Sequence, residues 1–112
     1  MKVIKFNEGS VHEAANHVGC WSYAKCGVGN TTLKTNVSIS EFLPGGGALM
    51  TASTKERVYF LLRGSMDVYA EDGTVYTLNQ PEDILYIPPN EKREIKVTGN
   101  VAARMLVIIT DI

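Results

Sequence analysis

Cysteine is scarce in this chain. Its two thiols, Cys20 and Cys26, are too few for a disulfide scaffold, and in a reducing compartment both are most simply free. Charge of one sign in excess is also lacking, in an otherwise ordinary globular composition. A net charge of −1, with charged residues at 21% of the sequence, gives no electrostatic case for binding nucleic acid or a membrane surface. No apolar run approaches the roughly 20 residues that span a bilayer. The opening MKVIKFNEGS has no apolar signal core followed by a small-residue cleavage site, so a cytoplasmic protein is the expectation. Helical periodicity is almost missing after Thr35, and there is no internal repeat, low-complexity run or linker. With 112 residues, a single domain over 1–112 is expected, large enough for one core.

What remains is a succession of strand signals. NVSISEFLP alternates, with Val37, Ile39 and Glu41 on one face and Ser38, Ser40 and Phe42 on the other. RVYFLLR is rich in aromatic and branched residues. SMDVYA and TVYTL flank Asp72-Gly73, a strong hairpin signal, and DILYIPP stops at Pro88-Pro89 because proline cannot donate to a ladder. REIKV alternates before TGN, and ARMLVIIT is apolar enough to be covered on both faces. Short strands at roughly 8–12-residue spacing predict an all-β sandwich or barrel with its core over about residues 35–110. The first 34 residues are less regular. SVHEAANHVG reads as a helical turn capped by Ser10 or as a loop, WSYAKC as a strand, and the segment as packing on the barrel or on a partner subunit. PGGG, residues 44–47, lacks the Lys-Ser/Thr and the helix of a phosphate cradle and reads as a turn needing positive φ.

Two stretches carry a family likeness. LPGGG, then Glu56, then VYFLLRG ending at Gly64, followed by PEDILYIPPNEKRE, resembles the cupin superfamily over most of residues 37–109. The resemblance implies a jelly-roll, double-stranded β-barrel. It also implies a metal held by two histidines, a glutamate and a third histidine. At those positions this chain has Met50, Ala52, Glu56 and Arg93, and the usual turn glycine is Glu82. One carboxylate does not make a transition-metal site, and a Met50 thioether is poorly matched to a hard carboxylate. No cofactor is therefore expected in the core.

A buried carboxylate needs a partner, and the leading expectation is a Glu56–Arg93 pair at the barrel mouth. Met50, Ala52 and Phe60 would stand around it as ligand-contacting residues, with Arg93 also free to hold an anion. Alternation places Val58, Phe60, Ile84 and Tyr86 inward, with Ile95 following Arg93. The competing reading has Glu56 on an exposed strand end, since a one-residue slip reverses every side chain. In the first reading the barrel binds a small polar or anionic metabolite. Glu56 would be a base, Tyr86 an acid and Arg93 an anion holder, in isomerase, epimerase or dehydratase chemistry without a metal. The alternative is a non-catalytic ligand-sensing or accessory module. A further one is a metal enzyme (Zn, Mn, Fe or Ni) drawing on His12, His17, Cys20 and Cys26, whose spacing fits no known zinc motif. The two apolar faces of MLVIIT suggest a homodimer.

Overall fold

The computed structural model describes residues 1–111. It contains nine strands: β1 (Ser10–His12), β2 (His17–Cys26), β3 (Thr35–Thr51), β4 (Glu56–Arg63), β5 (Met66–Ala70), β6 (Val75–Leu78), β7 (Ile84–Ile87), β8 (Arg93–Val97) and β9 (Ala103–Thr110). No helix is long and apolar enough to cross a membrane among these residues. All pairings of named strands are antiparallel, in the order β6-β5-β8-β3-β9-β4-β7, with β2 on β3 and β1 on β2. The long strand β3 closes the barrel by serving two layers. Its first part pairs with β9 from Thr35 to Phe42, and its last part pairs with β8 from Gly47 to Thr51. The end strands of the path, β6 and β7, do not pair with each other, so the barrel keeps one open seam.

Two local expectations change. The N-terminal segment forms no helical turn: Ser10–His12 is a strand paired on Ser22–Ala24, part of the same sheet. PGGG is not a turn but the middle of β3. Only Gly45 there has a positive φ, +79°, while Gly47 lies so close to β8 that a Cβ would sit 2.0 Å from the Ile95 carbonyl oxygen. The Asp72-Gly73 hairpin forms as expected between β5 and β6.

The core follows the inward phase of each strand. Phe42, Leu61, Met66, Val68, Ile95 and Met105 are its large fully buried side chains. Burying such side chains contributes about 1.5–3 kcal/mol each, which outweighs the cost of ordering them. On β8 the alternation holds, with Arg93, Ile95 and Val97 buried and Lys96 exposed. On β4 and β7 it is displaced by one residue. Arg57, Tyr59 and Leu61 are the buried set of β4, so Glu56, Val58 and Phe60 take the outer face. Ile84 and Tyr86 are exposed on β7 while Ile87 is buried. The inward expectation for Val58, Phe60, Ile84 and Tyr86 is therefore corrected.

Candidate functional site

The barrel interior carries buried polar groups among its apolar side chains. β2 and β3 place Ser22 opposite Ser40, both buried, with their hydroxyls 3.0 Å apart. Cys20 lies beside them, and burial pushes its thiol above the ordinary value while the two serine hydroxyls oppose the shift. His17 opens β2, stacks on Phe42 with ring centroids 6.1 Å apart and shares a 2.7 Å hydrogen bond with the Ala15 carbonyl. Burial holds the His17 imidazole below its usual value against that carbonyl bond, and the nearby Arg93 charge pushes it the same way.

Two guanidinium groups occupy this interior. Arg93 is 6% exposed. Its Nε donates to the Tyr59 hydroxyl at 2.8 Å, and its Nη1 donates to the Leu49 carbonyl and the Thr51 hydroxyl, both at 3.1 Å. Those bonds leave Nη2 without a protein partner among the described residues. Arg57 is 3% exposed; its Nη2 donates to the Glu91 carbonyl at 2.9 Å, and its buried Nε has no partner. Burial lowers the Arg57 pKa, Tyr59 opposes that, and the Arg93 charge adds to the lowering. Among the described residues no carboxylate forms an ion pair with either guanidinium. Burying a charge without a counter-ion costs several kcal/mol, so the arrangement is expensive for the fold alone.

The expected Glu56–Arg93 pair does not form. The slip on β4 sends Glu56 to the outer face, where its Oε1 accepts a hydrogen bond from the Tyr86 hydroxyl at 3.1 Å. That bond raises the Tyr86 pKa. Glu56 and Tyr86 thus meet each other, but outside the chamber that holds Arg93, and the three do not assemble one acid–base centre. Met50 and Ala52 are exposed at the end of β3 and beyond it, and Phe60 faces outward, so none of these three joins Arg93 in the interior. Arg57 and Tyr59 are the interior residues that the sequence reading passed over. The phase of RVYFLLR hides them, because Val58, Phe60 and Leu62 form a wholly apolar face whereas the buried face begins with Arg57.

The residues present do not fit a metal. Of the four ligand positions implied by the resemblance, two are exposed and lack a hard donor, one lies outside and one is a cation. Two guanidiniums in the chamber repel a further positive ion. Among the described residues no three His, Cys, Asp or Glu side chains lie close enough to share an ion. His12 is exposed on β1, and His17, Cys20 and Cys26 are spread along β2 without forming a cluster.

Two cavities adjoin the interior. The larger, about 660 Å³, lies between the N-terminal segment and the ends of β2, β3 and β9, with Lys25, Asn36, Ser38 and Lys55 on its walls. Two of the three lysines that line it, Lys25 and Lys55, are already engaged. Lys25 Nζ donates to the carbonyls of Lys5, Phe6 and Glu8, and Lys55 pairs with Asp111 at 2.9 Å. The smaller, about 250 Å³, opens at the seam between β6 and β7 and reaches Arg93. Its wall carries the buried Arg93 guanidinium, which no carboxylate ion-pairs with among the described residues, together with the exposed Glu91.

No protein-family model matches the sequence, and no curated protein matches it. Solved structures do share its architecture. The polyketide cyclase RemF from Streptomyces resistomycificus is 16% identical with a TM-score of 0.84, over 98% of this chain and 79% of that one. An RmlC-like cupin from Shewanella frigidimarina is 13% identical with a TM-score of 0.76, over 98% and 91%. A sugar phosphate isomerase of the cupin superfamily from Silicibacter pomeroyi is 15% identical with a TM-score of 0.70, over 84% and 60%. At such identities the likeness concerns the fold. The chain folds as a small cupin jelly-roll barrel.

Proposed function

We propose that the barrel binds a small organic anion, with Arg93 as its direct holder and Arg57 as a second positive charge behind it. The observation that carries this reading is the pair of guanidiniums, each more than nine-tenths buried and neither ion-paired with a carboxylate among the described residues. A bound anion supplies the missing counter-charge and uses donors that the protein leaves free. Tyr59 contributes as well: its oxygen already accepts from Arg93, so its own proton is available to an acceptor inside the barrel. The fold supports a small-molecule role, since a polyketide cyclase and a sugar phosphate isomerase share it. Fold alone does not choose among chemistries, so the assignment rests on the site.

Matched acid and amide pairs test the reading by calorimetric titration at constant ionic strength. Benzoate with benzamide and cyclohexanecarboxylate with its carboxamide differ within each pair mainly in charge. At least one acid is expected to bind tenfold or more tightly than its amide. Equal affinities within both pairs would overturn the proposal.

A further inference from the structure

The seam between β6 and β7 says more about the ligand than its charge. Among the residues lining this cleft, six carry the inward phase of their strands: Val68 and Ala70 from β5, Tyr76 from β6, Leu85 and Ile87 from β7, and Arg93 at the start of β8. Five of the six are apolar or aromatic, and the sixth is the buried guanidinium. Tyr76 stands opposite Val68 in the hairpin and so shares its inward phase, yet it is 47% exposed because β6 is an end strand with no neighbour across the seam. Its ring therefore borders the opening. The other charged groups, Glu91 and Lys92, are exposed, and Lys92 is paired with Glu71 at 3.4 Å.

We infer that this cleft takes a flat, aromatic carboxylate, whose anionic end meets Arg93 and whose ring lies along Tyr76 between β6 and β7. The inference rests on the anion-binding reading above and adds the class of ligand. Three observations favour an aromatic body over a polyhydroxylated one. The inward-facing wall has Arg93 as its one charged donor, and the remaining polar groups of the lining either face outward or, like Glu91 and Lys92, are exposed. A sugar-like ligand would need several inward polar partners to replace its lost water. The cleft opens between two strands that pair with other neighbours and not with each other, so a flat ring can lie along the seam. At about 250 Å³ it lies below the usual range for drug-sized ligands and matches a body of one or two rings.

Three anionic probes separate this inference from the reading beneath it: benzoate, cyclohexanecarboxylate and glucose 6-phosphate, titrated into the intact chain. Benzoate should bind at least threefold more tightly than cyclohexanecarboxylate, which has the same charge and carbon count but is puckered. Nuclear Overhauser contacts should link its ring protons to Tyr76. Tyr76→Ala should weaken benzoate by roughly threefold to tenfold, the worth of one aromatic pair, and leave cyclohexanecarboxylate within twofold. Tyr76 is half exposed, so this variant should fold, and its far-UV spectrum and melting curve check that it does. Equal binding of the two acids, or tighter binding of glucose 6-phosphate, would overturn the aromatic assignment and leave anion binding standing. Binding of none of the three would overturn both. Benzoate binding that Tyr76→Ala does not change would also reject the placement in the seam.

Discussion

Arg93 Nε donates to the Tyr59 hydroxyl at 2.8 Å inside the barrel, joining β8 to β4 across the chamber. That bond satisfies one edge of a buried cation with a neutral oxygen, which orients the guanidinium without cancelling its charge. Tyr59→Phe keeps the ring packing but removes the acceptor and leaves Nε desolvated. The variant should lose about 2 kcal/mol of stability in a denaturant titration, the scale expected for a buried donor deprived of its partner. A loss below about 0.5 kcal/mol would show that the bond does little.

Gly47 and Gly45 separate close approach from backbone conformation. At Gly47 a Cβ would meet the Ile95 carbonyl oxygen at 2.0 Å, whereas at Gly45 nothing lies within 4 Å but φ is +79°. Gly47→Ala must push β3 and β8 apart and should cost about 3 kcal/mol or prevent folding. Gly45→Ala should cost only about 1 kcal/mol, the penalty of a left-handed residue. Thermal melts of the two variants compare them directly.

Glu82 stands at φ +78°, where the resemblance leads one to expect glycine. The turn is fixed by the Asp83 carboxylate, which accepts from the backbone N–H groups of Asn79 and Gln80 at 3.0 and 2.9 Å. Glu82→Gly relieves the strained conformation and gives back part of the gain as unfolded-state entropy. A net stabilisation of about 0.5 kcal/mol is expected in a denaturant titration.

His17 makes stability depend on mild acid. Its imidazole is held below the ordinary 6.5, first by burial, so its contribution is complete above that value. It declines as pH falls below 6.5 and goes on declining until the folded-state pKa is passed. Melting temperatures between pH 8 and 5 should show this decline, and His17→Gln should flatten it over that interval. An NMR titration placing the His17 midpoint at or above 6.5 would contradict the account.

The fold was legible in the sequence because its punctuation is local: Asp72-Gly73 marks a hairpin, and Pro88-Pro89 ends a strand. The facing of β8 was legible too, since REIKV has charge on one face and apolar bulk on the other apart from Arg93. The facing of β4 was not. Its outer residue Phe60 belongs to an apolar row running across the sheet through Ile84, Leu106, Ile39 and Tyr23. With apolar residues on both faces, alternation loses its phase. Arg57 misleads further by placing a charge inside, where burial rules exclude one. Arg93 reads from the sequence as an anion holder in the barrel and is buried there, but Arg57 and Tyr59 are passed over, because a strand that buries a cation is physically unfavourable until something compensates the charge.

The most direct test of that compensation is the melting temperature of the wild type and of Arg57→Met in sodium benzoate and in sodium chloride at equal ionic strength. Removing an uncompensated buried charge should raise the melting temperature of Arg57→Met in chloride, because an apolar side chain of similar length restores packing without the desolvation cost. Benzoate should stabilise the wild type beyond chloride, through preferential binding to the folded state, and should do much less for the variant. A variant that melts lower than wild type in chloride and gains as much from benzoate would contradict the claim that the barrel keeps its guanidiniums for an anion.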